Sequence, residues 1–232
     1  MKRIGLIGGM SWESTATYYQ RINQQVNHQL GGLASADIVL HSLNFATIEA
    51  LQHDGNWAAL ADILSDSAQQ LEAAGADFLL ICTNTMHKVA PAVTQSVSIP
   101  LLHIAQATGS ALQRHQIRTV GLLGTRFTME EDFYTSYLQD TFDMNVLIPT
   151  ESERDTVHNV IYHQLCKGKI EAESKTAFIH IVDSLKKAGA EAVILGCTEI
   201  GLLIKPGDTS IPLFDTTLIH ADSAVMESLC KT

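Results

Sequence analysis

The chain predicts an α/β fold built twice, two similar halves of parallel sheet and helix with a ligand site in the cleft between them. Three observations carry this. Short apolar runs alternate with longer stretches of helical spacing throughout, the pattern of βαβ units. Ala74-Gly75-Ala76-Asp77-Phe78-Leu79-Leu80-Ile81-Cys82-Thr83-Asn84-Thr85 and Ala188-Gly189-Ala190-Glu191-Ala192-Val193-Ile194-Leu195-Gly196-Cys197-Thr198-Glu199 share one grammar, 114 positions apart (188 against 74). Two further echoes fall in the same order. Arg3-Ile4-Gly5-Leu6-Ile7-Gly8 matches Thr119-Val120-Gly121-Leu122-Leu123-Gly124, and Ser98-Ile99-Pro100-Leu101 matches Ser210-Ile211-Pro212-Leu213. One echo is chance; three at nearly one spacing argue for duplication. The expected domains are 1–102 together with 211–232, and 103–210.

Ile4 to Ile7 read as a buried first strand running into Gly8-Gly9-Met10-Ser11. A helix follows from Trp12 to Leu30, with Ser11 as its N-cap or, in its place, Ser14 or Thr15. The glycine order is G-x-x-G-G rather than G-x-G-x-x-G, so a dinucleotide fingerprint is not supported. These glycines make the turn or let backbone approach a small ligand. Asp37 to Ser42 form a second strand. Trp57 to Ala73 place Leu60, Ile63, Leu64, Ala68 and Leu71 on one helical stripe. The third strand, Phe78 to Cys82, delivers Thr83. Pro91 shortens or kinks the next helix. Ile99 to Ile104 complete the half as a fourth strand, followed by a helix from Ala105 to His115.

The second half opens with a strand at Thr119. Helix is expected over Glu130 to Thr141, strand over Asn145 to Ile148, and helix over Glu151 to Cys166. Lys175 to Ala188 form the helix leading into the strand that ends at Cys197. A strand from Ile211 to Phe214 and a helix from Thr217 to Leu229 close the chain.

Composition removes several function classes. The 232 residues have a formal net charge of −10 with no basic patch, which argues against nucleic acid as a partner. There is no apolar run long enough for a membrane span, and the N-terminus enters a strand rather than a signal peptide. Cys82, Cys166, Cys197 and Cys230 lack metal-site spacing and point to a reduced, cytoplasmic protein. His158 and His163 are five apart, not at the spacing of a helical metal pair, and no metal or other cofactor is expected. No Gly-x-Ser-x-Gly elbow supports hydrolase chemistry.

In open α/β sheets, ligands sit beyond the carboxyl ends of the strands. Cys197 is therefore the leading candidate for chemistry, with Thr198 and Glu199 supplying a hydroxyl and a carboxylate beside it. A thiol's reference pKa of about 8.5 falls when it lies near a helix N-terminus. Thr83, Asn84 and Thr85 occupy the equivalent place in the first half. Met10, Gln52 and Thr125, the last opposite Gly9 in the repeat, are further candidates for the substrate site. Cys82, one residue early, is expected to point into the core, and Cys166 and Cys230 to be structural.

Gly5-Leu6-Ile7-Gly8-Gly9-Met10, Thr83-Asn84-Thr85-x-His87 and Gly196-Cys197-Thr198-Glu199 resemble the aspartate/glutamate racemase family over essentially the whole chain. The resemblance implies two flavodoxin-like domains, a homodimer, no pyridoxal phosphate, and inversion of an amino acid's α-carbon. Two cysteines on opposite faces of the substrate then act as acid and base. Carried over, Cys197 is the second of them, and Asn84, Thr85 and Thr198 hold the α-carboxylate and amino group. The first cysteine falls on Thr83 here. The site is then asymmetric, as in the related arylmalonate decarboxylases. The family's arginine after the second strand is absent from Asn44 to Gln52. Its lysine is displaced by one position in Ile161-Tyr162-His163-Gln164-Leu165-Cys166-Lys167-Gly168. Uncharged substrates such as homoserine are therefore admitted. One-base decarboxylation or isomerisation of a small carboxylate, and non-catalytic amino-acid binding, remain open beside racemisation.

Overall fold

Ile4–Gly8 forms β1, and all five residues are buried. A strand covered on both faces is a central strand, and β1 lies between β2 (Ile38–Ser42) and β3 (Phe78–Ile81) in a parallel sheet of order β2-β1-β3. The computed structural model describes residues 1–230. They divide into two units, Met1–Ile104 with the segment from His220, and Ala105–Ile219.

In the first unit the two faces of the sheet bury different helices, as the two-residue period of a strand requires. Leu6, Leu80 and Cys82 pack with Tyr18, Ile22 and Val26 of α1 (Trp12–Leu30). Ile7, Leu79 and Ile81 pack with Leu60, Leu64 and Leu71 of α3 (Trp57–Ala73). Fully burying a leucine of this kind contributes about 1.5–3 kcal/mol. Ser11 caps α1, accepting a hydrogen bond from the Ser14 N–H. Gly9 has φ +86°, and a Cβ there would overlap the backbone of Leu43. A Cβ on Gly8 would meet the Thr15 hydroxyl at 2.8 Å. The chain's own backbone and side chains occupy the space these two glycines leave.

Between β2 and α3 lies α2 (Phe45–His53), whose N-cap is Asn44. After β3 comes a 3-10 turn, Thr85–Val89, and then α4 (Ala90–Ser96). Pro91 stands in the first turn of α4, where its missing N–H interrupts no helical bond. The expected fourth strand shrinks to one bridge, Leu79 to Leu101. Pro100 has no N–H to continue the ladder, and Ile104 already begins α5 (Ile104–Arg114).

The second unit has four parallel strands in the order β5-β4-β6-β7. They are β4 (Thr119–Gly124), β5 (Asn145–Leu147), β6 (Ala192–Gly196) and β7 (Leu213–Asp215). β6 is buried along its whole length. The helix expected over Glu130 to Thr141 is α7 (Asp132–Phe142), and a short helix not expected there, α6 (Arg126–Glu130), precedes it. The next helix, α8 (Glu151–His163), starts with a Thr150–Glu153 capping box and stops at His163, leaving Leu165–Lys167 as a separate 3-10 turn. α9 (Ala172–Lys187) buries Phe178, Ile181, Val182 and Leu185 before β6. α10 (Ile200–Leu203) is four residues long, and α11 (Thr216–Leu229) closes the chain. The tail expected to join the first half as one piece is divided. β7 pairs with β6, so it stays in the second unit, and the first unit resumes only at His220.

Candidate functional site

In each unit the candidate residues gather where a strand ends. β6 presses Gly196 so tightly against β4 that a Cβ there would lie 2.9 Å from the Leu123 carbonyl oxygen. The next residue, Cys197, turns out of the sheet and is partly exposed. Its thiol donates to Glu199 Oε2 at 3.0 Å. Burial raises the thiol's pKa well above its ordinary value, and the Glu199 charge and then Cys166 push the same way. The expected lowering by a helix N-terminus does not occur. α10 is a single short turn, and burial of the sulfur, with the Glu199 carboxylate beside it, outweighs it. The thiol is thus held in its protonated form, bonded to a buried carboxylate.

The strand end is braced from behind. Thr216 donates its hydroxyl to the Leu195 carbonyl at 2.9 Å, and Thr217 donates its own to Thr198 Oγ1 at 3.2 Å. Asp215 accepts from the Thr217 and Leu218 N–H groups, capping α11. Thr125, at the equivalent end of β4, accepts from the Thr128 N–H at 3.4 Å and caps α6.

In the first unit, Cys82 is fully buried and its pKa is raised by burial alone, as expected of a core thiol. Thr83 follows, partly exposed. Asn84 and Thr85 are buried beside it. The Thr83 carbonyl accepts from His87 Nδ1 at 2.8 Å. Gln52 is buried rather than solvated, and its amide donates to the Met86 sulfur at 3.0 Å, which supports the turn carrying Thr85. Met10 belongs to the apolar cluster with Ile48 and Met86.

Two neighbours of the Cys197 thiol were not read from the sequence. Cys166 lies close enough to add to the upward push on its pKa. The bond to Glu199 follows only from the folded geometry, although the i+2 spacing was visible. Among the described residues no group of three or more His, Cys, Asp or Glu side chains is placed to hold a metal ion. No helix among them is long and apolar enough to cross a membrane.

The sequence pattern of the Asp/Glu/Hydantoin racemase family matches residues 7–224. A broad specificity amino-acid racemase of Bacillus subtilis is 22% identical over 234 residues, covering 96% of each chain. The crystal structure of a candidate Asp/Glu racemase from Yersinia pestis superposes with a TM-score of 0.94 at 47% identity, covering 99% of this chain and 100% of that one. An aspartate racemase homologue from Pyrococcus horikoshii gives 0.86 at 32% identity, covering 98% and 99%.

Proposed function

We propose a mechanism for this chain, which belongs to the Asp/Glu/hydantoin racemase family, in which Cys197 and Thr83 address the α-carbon of one amino acid from opposite sides. The observation that carries it is the 3.0 Å bond from the Cys197 thiol to Glu199. Glu199 takes the thiol proton and releases it to solvent, and the thiolate then removes the α-proton. Thr83 passes a proton to the other side of the carbon and recovers it from solvent water, and the carbon is inverted. Asn84, Thr85 and Thr198 hold the α-carboxylate and amino group. No added cofactor takes part, and the working form is a homodimer in the cytoplasm.

The substrate range is broad, including uncharged side chains such as homoserine. Two features support this. Asn44 to Gln52 contain no arginine, and Lys167 is exposed. The similarity to a broad specificity racemase points the same way. A panel of L-amino acids at equal concentration tests it. Uncharged polar members should compete with aspartate and glutamate, and a preference for acidic ones above about 10³-fold, roughly 4 kcal/mol, would overturn the breadth.

The two-residue mechanism is tested by incubating single enantiomers in deuterated water. Inversion with α-deuterium uptake is the expected result. Because a hydroxyl is a poorer base than a thiolate, the enantiomer facing Cys197 should take up deuterium faster than it inverts. Label with no inversion would instead mean one-base chemistry on a small carboxylate. Binding with no label would mean an amino-acid-binding protein without catalysis.

A further inference from the structure

Three histidines, His87, His103 and His220, lie against one another in the first unit. The ring centroids of His87 are 4.5 Å from those of His103 and 5.9 Å from those of His220. They sit where the chain leaves that unit, at Ile104, and where it returns, at His220. His87 and His220 each use both ring nitrogens. His220 Nε2 donates to the Leu102 carbonyl at 2.8 Å, and its Nδ1 pairs with the Tyr18 hydroxyl at 2.8 Å. His87 Nδ1 faces the Thr83 carbonyl at 2.8 Å, and its Nε2 accepts the Ile104 N–H at 3.1 Å.

A carbonyl only accepts and a peptide N–H only donates, so both bonds of His87 require one form of the ring, neutral with its proton on Nδ1. The ring is fully buried, and burial together with His103 and His220 lowers its pKa well below the ordinary histidine value. Such a group is held to a single charge state and is unsuited to carrying protons. Its bonds do something else. The Thr83 carbonyl lies just past the end of β3, where no neighbouring strand continues the ladder. A buried carbonyl with no donor costs about 1–3 kcal/mol, and one held by a fixed donor keeps its peptide plane in place.

We propose that His87 is a positioning residue for Thr83, clamping the Thr83 peptide plane to the Ile104 N–H, and so aiming the Thr83 hydroxyl. This rests on the reading of Thr83 as a proton-transfer group. The clamp bears on the Thr83 half of the reaction and not on the Cys197 half, which is what makes it separable from a general role in folding.

Two isosteric variants divide the two bonds. In His87→Asn the amide stands near the position of Nδ1 and keeps the donor to Thr83. In His87→Gln the amide reaches the position of Nε2 and that donor is lost. Inversion and α-deuterium uptake are measured in deuterated water for both, with Thr83→Ala alongside. The expected result is that His87→Gln slows inversion about 10- to 100-fold, with kcat carrying the loss, while uptake by the facing enantiomer changes less than about threefold. His87→Asn should keep most of the inversion rate. Inversion and uptake falling together in His87→Gln, or inversion unchanged in it, would overturn the proposal. If Thr83→Ala inverts at the unmodified rate, the reading of Thr83 fails and the inference goes with it. If Thr83→Ala is impaired and His87→Gln is not, the inference fails alone. Histidine ¹⁵N spectra of the unmodified protein give a check independent of whether the variants fold. His87 should remain neutral with its proton on Nδ1 from about pH 8 to about pH 5. A proton on Nε2, or a charged ring in that range, would overturn the proposal.

Discussion

The ends of β3 and β6 share one sequence pattern, and they differ in the side chains they present. Aligned on the repeat, Cys82 stands opposite Gly196, Thr83 opposite Cys197, and Thr85 opposite Glu199. In the first unit a thiol is sunk in the core and a hydroxyl takes its place at the exit. In the second, a glycine allows the close strand contact and the thiol itself emerges. The carboxylate two residues on exists at one end only. The repeat therefore keeps where a side chain is delivered, and substitution sets which chemical group is delivered there. One end carries a thiol–carboxylate pair, while the other carries a hydroxyl whose backbone is fixed by an imidazole.

The largest effect should come from removing the thiol. Cys197→Ala is expected to lose about 10²–10⁴-fold in kcat, the usual scale for a positioned general acid or base. Its circular dichroism should be unchanged. Cys82→Ala should keep most of its activity, and equal losses in the two would erase the distinction between the strand ends.

Next comes the carboxylate. Glu199→Gln keeps the shape and removes the charge that, after burial, raises the thiol's pKa. Two readouts should then move in opposite directions. Alkylation of Cys197 near neutral pH should become faster, because more thiolate is present. Turnover should fall about 10²-fold, because the acceptor of the thiol proton is gone. A variant with faster alkylation and undiminished turnover would leave Glu199 no part in the proton transfer.

Acid sharpens the comparison of the two units at smaller scale. His103 and His220 have pKa values lowered by burial to about 4 and about 3, and His87 is also lowered. In the second unit, among the described residues, only His158 is shifted this way. The unfolded chain takes up a proton at each such histidine near pH 6.5, while the folded chain does not. The unfolded state thus binds more protons below that pH, and stability falls as the pH is lowered from about 6.5 toward about 4. Thermal melts should show Tm dropping across this window, with a shallower slope in His103→Gln. Amide exchange should rise first in the first unit. Loss of protection in the second unit ahead of the first would contradict the assignment.

The smallest expected effect contrasts two glycines with positive φ. Gly9→Ala places a Cβ against the Leu43 backbone, whereas at Gly31 nothing lies within 4 Å. Gly31→Ala should cost about 1 kcal/mol, from backbone conformation alone, and Gly9→Ala clearly more. Urea unfolding of both variants measures the difference.

Much of this architecture was legible in the residue order. Apolar strand runs and helical stripes are local patterns, so β1, β3, β6, α1 and α3 were found close to their true limits, and Ser11 was among the three cap candidates. The exit of Cys197 and the burial of Cys82 follow from the alternation of side chains along a strand. Other features depend on partners distant in the chain. Pro100 and the sheet's pairing reduced a strand to a bridge, and β7 joined β6 rather than the first half. Gln52 was a candidate for the substrate site by residue type alone, and only folding set the Met86 sulfur beside it. The direction of the Cys197 shift could not be read from its place after a strand, because it depends on burial and on where one carboxylate oxygen lies. Nor could the role of His87, four residues beyond Thr83, be inferred from that spacing. Its second bond is to a peptide N–H seventeen positions away, and only the folded chain brings the two together.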